Sequence, residues 1–352
     1  MGIETFIEGN TTGSNSASQN LREFNNNAPS FLIDGKDPKN ISESPITYTE
    51  IEDPETRQTL RVAILNEEAL KKGDTPTILT LQYNIGIEHK PILYLAQEMA
   101  AESKPIIIVE SHSVGESSDM TRKQAKSLRE NDNPFSQLSK SMYRALEPLL
   151  GNTCEIDLAG YSQGALIALS LAEQADDFGF TVKTLFALEI PGVKDFTERK
   201  KLKKTKASIG IMKAFASDAP NLSFYEKDPH DKKQREASGV DNKKNPVKTY
   251  AKLGKDLVLK PMRRKGMFTA YPAGMSRRIV PYMLKSALES QPDMRVIFIN
   301  GSKSTISSSK DLNNSIPQGM QSRVRRIILP GDTHAVGERA KRIGNLYRLT
   351  TK

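Results

Sequence analysis

A single cysteine, Cys154, in 352 residues excludes an intrachain disulfide and a thiolate cage around a metal. Long hydrophobic runs are missing too. The longest apolar stretches, such as 105–109, 185–188 and 296–299, have strand length and fall far short of the roughly 20 residues needed to span a bilayer. No transmembrane segment is expected. Residues 1–30 are rich in Asn, Ser, Gly and Thr and lack both a basic leading region and an apolar core, so no secretory signal is legible in them. These absences point to a cytoplasmic protein with a flexible polar tail over 1–44. Histidine is scarce as well: His89, His112, His230 and His334 are the only candidates for an imidazole base.

The charge is uneven. The chain carries a net +9, but residues 193–265 hold 21 Lys or Arg against 9 Asp or Glu, and the remainder holds 30 against 33. The basic character belongs to one segment. A solvated surface segment explains such a run most simply; attraction to an anionic substrate group or another acidic partner is the sharper alternative. Aromatic residues are not interleaved among its lysines, which argues against stacking on nucleic-acid bases.

Beyond the tail, 45–52 and 59–66 look like two strands around a turn, and apolar runs then alternate with helix-length segments. Strands are expected at 77–81, 105–110, 155–159 and 181–188, with helices at 91–103, 136–150 and 164–174 between them. The rhythm breaks from 191 to about 273. It returns with a helix over 276–289, strands over 294–300 and 323–329, and a terminal helix over 337–349. Strand–helix alternation of this kind implies a mostly parallel sheet with helices on both faces. The expected organisation is a core in two parts, 45–192 and 274–352, split by a basic insert over 193–273.

Gly160-Tyr161-Ser162-Gln163-Gly164 fits the G-x-S-x-G pattern, in which a serine occupies a sharp turn between strand and helix. Glycines are needed on either side because side chains there would collide with the backbone. A strand leads into this pentapeptide and a small, apolar helix leads out, which is the context the pattern requires. With these residues the chain resembles the α/β-hydrolase superfamily from about residue 45 to the C-terminus, the insert excepted. The run Glu110-Ser111-His112-Ser113-Val114-Gly115-Glu116-Ser117 is similar to the family's D-x-x-G-x-G-x-S loop, with Glu for Asp and Ser for the first Gly.

The resemblance implies an α/β-hydrolase fold with an inserted cap, and a serine hydrolase acting without metal or organic cofactor on an ester, thioester or related carbonyl bond of a small molecule. Ser162 is then the nucleophile. His334, after the last strand and before the last helix, takes the place of the general base; His89 and His112 sit in loops at the same edge and could touch substrate, while His230 lies in the polar insert. The oxyanion would be bound by the backbone N–H of Gln163 and by a donor in the loop after 77–81, with Asn84 the positional choice and Ile85 next. The acid is open. Where the family has Gly-x-x-Asp this chain has Gly301-Ser302-Lys303-Ser304, which leaves Glu189, Asp311 or no acid at all. Met262, Met267, Phe268 and Tyr271 are candidates for an apolar underside of the cap or for plain core, and Arg263, Arg264 and Lys265 for contacts to a substrate anion. A binding protein on a hydrolase scaffold is the competing class, motivated by the missing Asp and the altered oxyanion loop.

Overall fold

The computed structural model describes residues 44–82, 86–88, 90–195, 265–329, 334 and 340–351. The tail, Asn84 and Ile85, His89, His230 and most of the basic insert, including Met262, Arg263 and Arg264, lie outside the described residues, as do the side chains of Lys265, Met267 and Phe268. Strands β1 (Ile46–Glu52) and β2 (Thr59–Leu65) are followed by helix α1 (Glu67–Lys71), β3 (Thr77–Thr80), α2 (Lys90–Ala100) and β4 (Ile106–Val109). Helices α3 (Arg122–Glu130) and α4 (Ser136–Leu150), β5 (Glu155–Tyr161), α5 (Gln163–Gln174) and β6 (Thr181–Leu188) come next. From residue 265 onward stand α6 (Lys265–Met275), α7 (Val280–Ser290), β7 (Arg295–Gly301), α8 (Ser309–Asn313), β8 (Val324–Leu329) and α9 (Ala340–Thr350).

The strands form one eight-stranded sheet in the order β1-β2-β4-β3-β5-β6-β7-β8. β1 and β2 are antiparallel to their neighbours, and β4, β3, β5, β6, β7 and β8 run parallel. Strand residues alternate between two apolar layers, as the period of two demands. Leu158, Leu185 and Phe298 face the layer built with α4, α5, α6 and α7, whereas Ala159, Phe186 and Ile299 face the layer built with α2 and α9. Because both faces are covered, the central strands read as unbroken apolar runs, such as Ile106–Val109. No helix among the described residues is long and apolar enough to cross a membrane.

Two departures from the sequence pattern have plain causes. The helix expected over 276–289 starts only at Val280, because the N–H groups of Ile279 and Val280 both turn to the carbonyl of Gly192. α3 is too charged to show an apolar stripe. Its readable signal is the reciprocal cap in which Gln124 N–H donates to Thr121 Oγ1 and Thr121 N–H to Gln124 Oε1. α6 spans the boundary drawn at 273, and Ala270, Tyr271 and Met275 on it are buried in the core.

The turn joining β1 to β2 is fastened to α4 through Asp53. Its buried carboxylate accepts from Arg144 Nε and Nη2 at 2.7 Å each, Ser141 Oγ at 2.6 Å, Thr56 Oγ1 at 2.7 Å and the Glu55 N–H at 3.0 Å. Burial alone would raise its pKa, but the bonds from Arg144, Ser141, Thr56 and Glu55 outweigh it and hold the carboxyl well below the usual carboxylate range. His112 joins the same network from the loop after β4, with Nε2 3.0 Å from Ser141 Oγ. Since Ser141 gives its proton to Asp53, His112 Nε2 donates; burial lowers the pKa of this imidazole to about 4, so it is neutral at pH 7. His112, read from the sequence as a loop residue that could touch substrate, is fully buried here and braces α4.

α5 lies unusually close to the sheet. A Cβ on Gly164 would stand 2.2 Å from the Thr80 carbonyl oxygen on β3, and one on Gly160 would stand 2.4 Å from the Gly164 carbonyl oxygen. Both obstacles are backbone and cannot swing away. Gly164→Ala is therefore expected to cost on the order of 3 kcal/mol, read from urea unfolding at pH 7. Asp53→Asn is expected to cost about 3 kcal/mol at pH 7, because it removes the buried carboxylate that pairs with Arg144 and accepts the Ser141 and Thr56 hydroxyls. The folded pKa of Asp53 lies below its ordinary 3.8, so its contribution is full above the unfolded value and is lost as pH falls through the folded one. The stability gap between wild type and Asp53→Asn should narrow on acidification below about pH 4; a constant gap down to pH 2 would contradict this account.

Candidate functional site

The parallel strands end at one edge of the sheet, and the loops that leave β3, β4, β5, β6 and β7 converge there. Open parallel sheets place their sites at this edge because helix N-termini and strand ends meet around a crevice. β5 ends at Tyr161 and α5 begins at Gln163, so Ser162 alone makes the turn, with φ 56° and ψ −123°. Such a backbone is strained for any residue with a Cβ. It is held by the bond from Ser162 N–H to Leu188 O at 2.8 Å and by the close fit of Gly160 and Gly164 already described.

Ser162 Oγ stands 2.9 Å from His334 Nε2, and His334 Nδ1 stands 3.2 Å from Glu189 Oε2. All three residues are buried. A serine donating to Nε2 leaves the ring proton on Nδ1, where the carboxylate accepts it. The His334 backbone is fixed by Tyr161, whose hydroxyl donates to the His334 carbonyl at 2.8 Å and whose ring stacks on the imidazole at 5.9 Å between centroids.

Glu189 directly follows β6 in a left-handed backbone, φ 51°, with its N–H bonded to Ile299 O at 2.8 Å. That conformation turns the side chain across the end of β7. There Oε1 accepts the Gly301 N–H, and Oε2 accepts the Ser304 hydroxyl at 2.6 Å. Burial pushes the Glu189 carboxyl pKa up, and the bonds from His334, Ser304 and Gly301 pull against that rise. Of the acid candidates, the structure brings Glu189 to His334. Asp311 sits in the first turn of α8, where its Oδ2 accepts from Ser308 Oγ at 2.5 Å and its N–H donates back to that oxygen at 3.1 Å.

The loop 110–117 shows why its sequence looks the way it does. Glu110 accepts the N–H of Ile87 at 2.7 Å and of Glu116 at 2.8 Å, tying the loop after β3 to the loop after β4. A Cβ on Gly115 would stand 2.2 Å from that carboxylate, so only glycine fits. Ser113, where the resembled loop has its first Gly, adopts φ 63°, a left-handed backbone that glycine takes without cost. Tyr271, on α6, reaches into the same region: its hydroxyl donates to the His112 carbonyl at 2.8 Å and lies 2.6 Å from Ser111 Oγ. It therefore pins α6 to this edge of the sheet. Gln163 opens α5, and its backbone N–H is among those for which a helix has no internal acceptor. Asn84, its expected companion, lies outside the described residues. Sequence reasoning missed Tyr161, Gly301 and Ser304. Tyr161 was hidden in a free position of the pentapeptide, and the other two were read only as an incomplete acid motif.

No protein-family model matches the sequence, and comparison with curated proteins gave no match either. Solved structures do match. A serine hydrolase from the polyaromatic-hydrocarbon-degrading bacterium Cycloclasticus zankles superposes with a TM-score of 0.56 at 12% identity, covering 87% of this chain and 98% of that one. A thioesterase domain from the curacin biosynthetic pathway gives 0.52 at 14% identity, covering 86% and 99%. An α/β hydrolase enzyme from a Medee basin deep-sea metagenome library gives 0.51 at 11%, covering 84% and 96%. Strand order, the parallel core and these superpositions agree: the chain has the α/β-hydrolase fold.

Proposed function

We propose that this protein is a serine hydrolase that cleaves an ester, thioester or related carbonyl bond of a small molecule through an acyl-enzyme on Ser162. The observation that carries the proposal is the buried hydrogen-bonded chain from Ser162 Oγ through both nitrogens of His334 to Glu189, with links of 2.9 and 3.2 Å. A serine hydroxyl is a poor nucleophile until a base removes its proton, and His334 Nε2 is within reach to do so. As Oγ bonds to the carbonyl carbon, the proton moves to Nε2 and the imidazolium is stabilised by Glu189. Collapse of the tetrahedral intermediate expels the alcohol or thiol, which takes that proton. Water, deprotonated by the same nitrogen, then releases the acid.

The negative charge that builds on the carbonyl oxygen would be met by the backbone N–H of Gln163 at the start of α5 and by a donor from the loop after β3, with Asn84 the residue of choice. Each such donor contributes about 3–4 kcal/mol in comparable sites. The segment 193–273 would act as a cap, and its basic residues would suit a substrate carrying an anionic group.

A fluorophosphonate probe is expected to give one adduct on Ser162, located by mass spectrometry and absent from Ser162→Ala and His334→Ala. Folded wild-type protein that never reacts would favour a binding protein on this scaffold. Glu189→Gln is expected to lower kcat by about 10⁴-fold, the loss seen when the carboxylate behind such a histidine becomes an amide. Asp311→Asn should leave kcat unchanged; a large loss there would move the acid away from Glu189.

A further inference from the structure

The tetrapeptide Gly301-Ser302-Lys303-Ser304 occupies the place where an acid-bearing loop is expected, and it carries no acid. It is not idle. β6 and β7 are parallel neighbours, with Leu188 opposite Ile299 and the Glu189 N–H bonded to the Ile299 carbonyl. The segments leaving the two strands therefore start side by side. Both ends of the tetrapeptide grip the carboxylate that enters from β6: the Gly301 N–H donates to Oε1, and the Ser304 hydroxyl donates to Oε2 at 2.6 Å. That second oxygen is the one facing His334 Nδ1. Ser304 itself is held in place by the Ser307 N–H, which donates to its Oγ at 3.2 Å. Its proton is thus committed to Glu189.

We infer that Ser304 is a positioning residue that aims Glu189 at His334. The inference rests on Glu189 being the partner of His334. With the Gly301 N–H on Oε1 and the Ser304 hydroxyl on Oε2, the carboxylate is gripped at both oxygens, and turning it away from His334 Nδ1 breaks both bonds.

The test compares wild type, Ser304→Ala, Ser304→Thr and Glu189→Gln, each checked for folding by circular dichroism. Two readouts are taken: the rate of fluorophosphonate labelling at Ser162, and the low-field proton signal of the His334 Nδ1–H in protein labelled with ¹⁵N-histidine. Ser304→Ala is expected to slow labelling ~10-fold, the effect of removing one hydrogen bond to a charged group. Glu189→Gln should lose the imidazole signal and nearly all labelling. Ser304→Thr, which keeps the hydroxyl, should retain the signal and label at close to the wild-type rate. Ser304→Ala that matches wild type in both readouts overturns the positioning role. Ser304→Thr that falls as far as Ser304→Ala in both readouts overturns it as well, because the hydroxyl is then not what holds Glu189. If the signal follows the expected order while no variant is labelled, the hydrogen-bond chain stands as inferred and the hydrolase proposal is what fails.

Discussion

The carboxylate of Glu189 is the interaction on which the site depends. A carboxyl removed from water costs several kcal/mol unless its oxygens are met by donors. Here three donors meet it, and each comes from a different part of the chain: His334 beyond β8, the Gly301 backbone at the end of β7, and the Ser304 side chain three residues on. The group that needs compensation is thus also the one that gathers the ends of β6, β7 and β8 at one point. Removing the charge would leave a histidine without an acceptor and a loop without its anchor. That is why the stability of this corner and the orientation of His334 cannot be separated.

The rest of the fold supplies rigidity to that point. β5 and β6 are held in register up to Tyr161 and Leu188, and Ser162 continues the ladder by donating to the Leu188 carbonyl. α5 is pressed so tightly onto β3 that only glycine fits at 164, which fixes the helix N-terminus relative to the serine. Tyr161 closes a second loop of contacts, from the residue before the serine to the backbone of the histidine. Two of the three members are therefore positioned by strand ends, and the third is held by side-chain bonds.

Much of this was legible in the sequence, for reasons that differ from residue to residue. Strands buried on both faces carry continuous apolar runs, so 181–188 and 294–300 stand out without any knowledge of pairing, and the observed strands fall on them within a residue. Ser162 was legible because two glycines and a change of periodicity mark its turn. Glu189 remained one of several options, because choosing the acid requires knowing which strand end lies beside the histidine, and that is a matter of sheet order. Ser304 was misread for a related reason: its meaning depends on a carboxylate 115 residues away in sequence. The buried network of Asp53, Ser141 and His112 was invisible for the same cause, with partners 88 and 29 residues apart.

The distribution of backbone strain bears on whether this edge works or merely persists. Among the described residues, six that are not glycine have positive φ, and Ser113, Ser162 and Glu189 are three of them. These three follow β4, β5 and β6, whereas the others lie in turns or beside short helices. Each such residue costs about 1–3 kcal/mol and persists only where its surroundings over-determine it. Random drift on an idle scaffold would be expected to relieve that cost, for instance by placing glycine at 113 or 189. Instead each strained residue is held by specific bonds: Ser113 by the Ser118 carbonyl and the Met120 N–H, Ser162 by the Leu188 carbonyl, and Glu189 by the Ile299 carbonyl. Strain kept beyond β4, β5 and β6, with a bonded serine, histidine and carboxylate among the residues there, favours the proposed chemistry at that edge over architecture alone.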